Sequence, residues 1–305
     1  MPIPVALDVD TGVDDALALI LALRSPELNV RAVTCVAGNT SVEFATRNTL
    51  LVLDRLEART DLPVARGAGE PLARPLASAT DVHGADGLGN TSALYPRSTR
   101  PYRMDAAALL CETIQEQPNA LTVIATGPMT NLAQACARDP AAFGRLKEIV
   151  QMGGAVAVPG NMGPHAEFNL WVDPEAAAAV FATGVPLRLV PLDVTEQLVL
   201  TRTRVRQSAQ ERDSGVFQFV RECTVVYFDF HQQRVGINGG YLHDPAAVTA
   251  AIHPEWFTWR RAHLAMDTRE RGRLSMEQDA AGTAQVAVGV EAARVVDFVV
   301  NRVCR

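Results

Sequence analysis

The chain has 305 residues and is 48% hydrophobic, enough for a large core in one domain or two. Its formal net charge of −6 argues against a nucleic-acid backbone or an anionic membrane surface as partner, and no run approaches the roughly 20 apolar residues of a membrane span. Five scattered cysteines (Cys35, Cys111, Cys136, Cys223, Cys304) suit reduced thiols rather than disulfides or zinc, and the N-terminus lacks a signal peptide's basic start, so the expected location is the cytoplasm.

Strands and helices alternate along the sequence. Residues 3–9, IPVALDV, read as a strand and 14–23, DDALALILAL, as a helix packed on it. VRAVTCVAG (30–38) is a second strand, SVEFATRNTLLVLDRL (41–56) a helix and LPVARG (62–67) a further strand. An irregular stretch rich in Gly, Pro, Ala and Ser runs from about Ala68 to Tyr102. Then come helix 104–117, strand LTVIATG (121–127), a helix starting at Pro128, and strand LKEIVQMGG (146–154). DPEAAAAVFATG (173–184) is a helix with Asp173 as N-cap, Pro174 in its first turn and Gly184 just past its end. PLRLVPLDV (186–194) is a strand. From about Thr201 the pattern turns helical, ending in strand-like AQVAVGV (284–290) and a C-terminal helix. The basic RERGR at 269–273 reads as a solvated turn or helix end.

This alternation predicts a single α/β domain over 1–305, with a mostly parallel twisted sheet and helices on both faces. In such sheets ligands bind outside the carboxyl ends of the strands. That rule gathers Asp8 and Asp10, Gly38-Asn39, Thr126-Gly127 and GGAVAVPGNMGPHAEFN (153–169) toward one crevice.

The first strand–helix turn reads D-V-D-T-G-V-D-D. A dinucleotide-binding turn would have three glycines there and no negative charge, so direct phosphate binding is disfavoured. Four crowded carboxylates call for a hard divalent cation, and oxygen-only ligands favour Ca²⁺ or Mg²⁺ over zinc. Asp14 and Asp15 fall in the helix's first turn, where the dipole favours anions. An EF-hand fails, because Gly12 and Leu19 occupy its fifth and twelfth positions counted from Asp8. The D-x-D-x-[TV] motif of haloacid-dehalogenase-like phosphatases is a near miss at Gly12, with Asp8 as the would-be nucleophile.

The D-x-D-x-x-x-D-D run resembles the signature of inosine–uridine-type nucleoside hydrolases. Further segments match in order: VAGN (36–39), VHGADGLG (82–89), ATGPMTNLA (125–133), QMGGA (151–155), PGNMGPHAEFN (159–169) with DPEAA after it, and HDPAAV (243–248). The resemblance implies a Rossmann-like, single-domain nucleoside hydrolase fold and Ca²⁺-dependent cleavage of the N-glycosidic bond of ribonucleosides to ribose and free base. Asp10, Asp15, Asp244 and the Thr126 carbonyl would hold calcium, with Asp10 also the general base on a metal-bound water. Asp14 would hold the ribose hydroxyls, and Asn39, Asn161, Glu167 and Asn169 would grip the sugar, flanked by Met152 and Phe168. A homodimer or homotetramer is the implied assembly.

Other residues are read with their ordinary alternatives. Asp244 precedes Pro245, as Asp139 and Asp173 precede prolines, and an Asp-Pro pair alone reads as a helix cap. His83 lies in a glycine-rich loop expected to be mobile and near the base. His243 is the candidate for contacting or protonating the leaving base, since histidine titrates near neutrality. Tyr227 and His231, four apart, share a helix face, with Phe228 and Gln232 beside them. His165, His253 and His263 read as structural or surface groups. No purine or pyrimidine preference follows from this segment. The non-catalytic alternative is a calcium-dependent ribose- or nucleoside-binding module.

Overall fold

The computed structural model describes residues 1–208 and 215–304. Its strands are β1 (Ile3–Val9), β2 (Leu28–Cys35), β3 (Val64–Arg66), β4 (Thr122–Ala125), β5 (Glu148–Met152), β6 (Leu187–Val190), β7 (Val199–Thr201), β8 (Gly239–Tyr241), β9 (Phe257–Asp267), β10 (Arg273–Gln278) and β11 (Ala284–Val290). The helices are α1 (Val13–Leu23), α2 (Val42–Arg55), α3 (Thr80–His83), α4 (Ala106–Glu116), α5 (Thr130–Arg138), α6 (Pro140–Phe143), α7 (Phe168–Val172), α8 (Pro174–Phe181), α9 (Leu192–Thr195), α10 (Arg202–Ser208), α11 (Gly215–Val235), α12 (His243–Ile252) and α13 (Ala292–Val303). No described helix is long and apolar enough to cross a membrane.

Nine strands form one sheet in the order β10-β9-β11-β6-β5-β4-β1-β2-β3. From β3 to β11 every neighbouring pair is parallel; β9 alone is reversed, pairing antiparallel with both β11 and β10. Alternate residues of the central strands face opposite layers, as the two-residue period of a strand requires. On β1, Val5, Leu7 and Val9 pack with α1, α2, α11, α12 and α13, whereas Ala6 faces α4, α5 and α8. Helices therefore cover both faces, as the α/β alternation predicts.

Two expectations need correction. The stretch after Thr201 is not purely helical before β11: it contains the β9–β10 hairpin, and β7 pairs antiparallel with β8 in a separate two-stranded ribbon. Arg260-Arg261 in the middle of β9 hides its alternation, because this strand, next to the sheet's edge, is largely open to solvent and tolerates charge. The helix expected to begin at Pro128 begins at Thr130, with Met129 as its N-cap residue.

Candidate active site

The strand order reverses between β1 and β4: the chain leaves β1 for β2 on one side and returns to β4 on the other. A crevice opens at the carboxyl ends of such a pair. Asp10 follows β1 there, Thr126 follows β4, Asn39 follows β2, and the 153–169 segment follows β5.

Helix α1 starts without a side-chain cap at Gly12. Its free backbone N–H groups are satisfied from elsewhere: Gly12 N–H donates to Asp15 Oδ2 at 2.9 Å and Val13 N–H to His83 Nδ1 at 3.1 Å. One carboxylate oxygen each from Asp14, Asp15 and Asp244 lie within 4.8 Å of one another, all buried. Asp10 lies beside this trio, its Oδ2 accepting the Asn39 N–H at 2.6 Å, while its Oδ1 is buried without a partner. Gly38 and Gly127 make room for it; a Cβ on Gly38 would sit 2.1 Å from Asp10 Oδ2. Asn39 Nδ2 donates to Asp15 Oδ2 at 3.0 Å and Thr126 Oγ1 to Asp15 Oδ1 at 2.6 Å.

Two ionised carboxylates at that 4.8 Å separation repel by about 3 kcal/mol at an effective dielectric of about 20. Among the described residues no lysine or arginine pairs with them; the one contact of that kind is His83 Nδ1 to Asp14 Oδ1 at 3.8 Å. Burial first, and then Asp15's charge, push the Asp14 carboxyl up to about 8 and raise Asp10 in the same direction. Asp244 is raised by burial and by Asp14. Such a group ionises together only around a cation. Its oxygen donors, and the buried unpartnered Oδ1 atoms of Asp10 and Asp14, fit a hard divalent ion.

Asp244 is not a helix cap. Asp139 and Asp173 do cap, accepting from Ala142 N–H at 2.9 Å and Ala176 N–H at 3.0 Å. Helix α12 instead begins at His243, after Leu242, which leaves the Asp244 carboxylate in the acidic trio. Asp8 is wholly buried inside β1. Its Oδ1 accepts Thr34 Oγ1 at 2.5 Å and Asn131 Nδ2 at 2.8 Å, and burial raises its carboxyl to about 7. Its Oδ1 is committed to two donors that tie β1 to β2 and α5, which speaks against the nucleophile's role in the haloacid-dehalogenase-like alternative.

On the wall formed by β5 and α7, Asn169 Nδ2 donates to the Thr126 carbonyl at 2.7 Å and the Met152 carbonyl at 3.1 Å. Glu167 starts α7, its oxygens accepting Asn169 N–H at 2.8 Å and Gly154 N–H at 2.9 Å; burial pushes its carboxyl up to about 7. Asn161 is exposed, and its Oδ1 accepts the Phe168 N–H at 2.9 Å. Phe168 packs with Ala79 and Val172.

Five rings form a row on the opposite side. Successive centroid distances are 5.5 Å for His83–Tyr227, 4.4 Å for Tyr227–His231, 5.1 Å for His231–Tyr241 and 5.2 Å for Tyr241–His243. The shared face of Tyr227 and His231 is thus real. Tyr227 is nevertheless buried, its hydroxyl donating to the Tyr241 carbonyl at 2.9 Å. Because a carbonyl only accepts, the 2.8 Å contact to Tyr227 O puts a proton on His231 Nδ1 and leaves Nε2 an acceptor. By the same logic His83 Nδ1 accepts and its Nε2 carries the hydrogen. The loop holding His83 is tied together by Asp86. Asp86 accepts from the N–H groups of Leu88, Asn90 and Ser92, each at 2.8 Å, and its carbonyl receives Asn48 Nδ2 at 2.8 Å. His243 Nδ1 meets Thr195 Oγ1 at 2.7 Å, and burial with the neighbouring His231 and His83 pushes the ring down to about 3. Phe228 is core, Gln232 and His165 are exposed, and His253 stacks on Trp256.

Sequence reasoning missed Tyr241, Thr195, Asn131 and Asn48. Only Tyr241 carried a local signal, two residues before the matched HDP, and the others act through contacts 37 to 123 residues apart in sequence.

A buried, oxygen-lined cation site at a sheet's switch point, facing amides on one side and rings on the other, defines a metal-dependent α/β enzyme for a small polar substrate. The chain belongs to the inosine-uridine preferring nucleoside hydrolase family, whose model matches residues 5–297. A pyrimidine-specific ribonucleoside hydrolase, RihA, of Salmonella paratyphi B is 39% identical over 88% of this chain and 86% of its own length. Uridine nucleosidase 1 of Arabidopsis thaliana is 37% identical over 86% and 78%. The solved structure of a purine-preferring ribonucleoside hydrolase from Gardnerella vaginalis superposes with a TM-score of 0.92 at 30% identity, over 99% of this chain and 98% of that one. The protein is accordingly a hydrolase of ribonucleoside N-glycosyl bonds.

Proposed function

We propose that the enzyme uses one Ca²⁺, held by Asp10, Asp15, Asp244 and the Thr126 carbonyl with Asp14 beside it toward the ribose hydroxyls, with Asp10 as general base, and that pyrimidine ribonucleosides are its substrates. The observation carrying this reading is the convergence of Asp14, Asp15 and Asp244, buried and without a cationic side chain, beside the half-free carboxylate of Asp10. When bound, the ion would orient the 2′- and 3′-hydroxyls and make a nearby water more acidic.

Asp10 is held by one oxygen on the Asn39 N–H, so its other oxygen faces a fixed direction. That oxygen is free to take the proton of the attacking water. Glu167, Asn161 and Asn169 hold the sugar as it flattens. The clustered carboxylates favour the positive charge that develops on the ring oxygen and C1′ in the oxocarbenium-like transition state. As the C1′–N bond breaks, the departing base gains negative charge beside the histidine row. His243 is neutral there and acts as a hydrogen-bond partner oriented by Thr195, not as a charged acid. The acceptor Nε2 of His231 suits a base bearing an N–H, as uracil does.

The two sequence relatives named for uridine or pyrimidines support the pyrimidine choice over the purine-preferring structural neighbour. The unpaired cysteines support a cytoplasmic location, and the family resemblance supports a homodimer or homotetramer, which light scattering distinguishes. The test is a panel of inosine, adenosine, guanosine, uridine and cytidine scored for reducing sugar. Uridine and cytidine are expected to lead. Release from purines alone would overturn the pyrimidine assignment.

A further inference from the structure

The sugar-side segment has little support of its own. Helix α7 is five residues long, too short to hold a helix unaided, and the loop before it runs through exposed residues such as Asn161. Its support comes from the turn between β9 and β10. The Arg271 guanidinium carbon lies 3.5 Å from the centroid of the Trp171 ring, and Arg271 Nε donates to the Trp171 carbonyl at 2.8 Å. Gly272 has φ +82°, and a Cβ there would lie 2.6 Å from Trp171 Cα, so the turn's backbone rests directly on α7. Arg273 bridges to Ala166, and Leu274 packs over Gly154, whose N–H is a donor to Glu167. Arg74 Nη2 ties the same turn to α8, reaching the Thr268 carbonyl at 2.6 Å and Glu175 Oε1 at 2.7 Å.

We propose that the β9–β10 turn is a buttress for the sugar-gripping segment, and that Arg271 is a positioning residue for Glu167 and Asn169. The inference rests on the reading that those two residues hold the ribose. Trp171 N–H donates to the Glu167 carbonyl at 2.8 Å, so whatever fixes Trp171 fixes the first turn of α7 and with it the Asn169 side chain on the Thr126 carbonyl. Arg271 does this with one planar group that stacks on the ring and hydrogen-bonds the backbone of the same residue. A lysine ammonium has no planar face and no Nε–H to reproduce the pair. The basic RERGR run, expected to be a solvated turn, is a turn, but its Arg271 is applied to the protein. The acidic trio stands on α1 and α12, so the buttress reaches the cation only through the Asn169 hydrogen bond to the Thr126 carbonyl and acts chiefly on the sugar.

The test compares wild type, Arg271→Ala and Arg271→Lys in calcium-loaded protein, measuring uridine kinetics, ribose affinity and calcium affinity. Arg271→Ala is expected to lower kcat/KM about 10- to 100-fold, the scale of a small misplacement of a positioning group. KM and the ribose Kd should rise together while calcium affinity, which Asn169 touches only through the Thr126 carbonyl, changes several-fold less than the ribose Kd, and Arg271→Lys should recover less than half the loss on a logarithmic scale. General structural damage would instead weaken calcium binding in step. If Arg271→Ala does not fold, Arg271→Lys decides: unchanged KM and ribose Kd overturn the buttress. An active wild type with an equally active Arg271→Ala overturns the buttress alone, whereas a wild type that releases no ribose overturns the ribose reading beneath it.

Discussion

Stripping the divalent cation is expected to make stability fall with rising pH, and calcium to reverse that trend. The Asp14 carboxyl ionises near 8 in the folded protein and at an ordinary 3.8 in the unfolded chain. Below about pH 4 both states hold the proton. Between about pH 4 and 8 only the folded state does, so folding takes up a proton and each unit of rising pH removes about 1.4 kcal/mol. From pH 5 to 7 Asp14 alone accounts for about 3 kcal/mol, or about 6 °C of melting temperature for a chain this size. Asp10 and Asp244 shift in the same direction and add to it. Calcium binds the ionised carboxylates, so its stabilising increment must grow with pH. Circular-dichroism melts in chelator and in millimolar calcium at pH 5, 6, 7 and 8 measure both slopes. A calcium increment equal at pH 5 and pH 7, or a chelated protein as stable at pH 7 as at pH 5, would refute the reasoning.

Two substitutions separate the aspartates of the first strand–helix turn. Asp10→Ala is expected to cut kcat by about two to four orders of magnitude, the range of general-base catalysis, while the circular-dichroism spectrum stays native; surviving activity would mean another group takes the proton. Asp8→Asn keeps an acceptor for Thr34 and Asn131 and removes a buried charge whose folded value is about 7. It is expected to retain calcium binding and ribose release and to melt higher than wild type at pH 8, and loss of calcium binding would make Asp8 a ligand after all.

The parts of this molecule legible in the sequence are those written in short range. The parallel core could be read because apolar strands and amphipathic helices alternate from Ile3 to Val190, and the strand-end rule then placed Asp10, Asn39 and Thr126 together. Asp244 could not be separated from the capping aspartates Asp139 and Asp173 by its neighbours. Only the start of α12 at His243 turns its carboxylate inward. The β9–β10 hairpin escaped because the charged, solvent-facing β9 lacks a clear two-residue period, and with it went the contact between Arg271 and Trp171, 100 residues apart. His243 was expected to titrate near neutrality, and its burial beside two other histidines depends on packing that no local pattern encodes.

The central claim is that the acidic site works as a single calcium centre for glycosidic hydrolysis. It is tested most directly by titrating calcium into chelator-stripped enzyme while following ribose release from uridine. No release is expected without the ion, and added calcium is expected to give a rise that saturates at one equivalent per chain. Undiminished release from the stripped enzyme, or none at any calcium concentration, would contradict it.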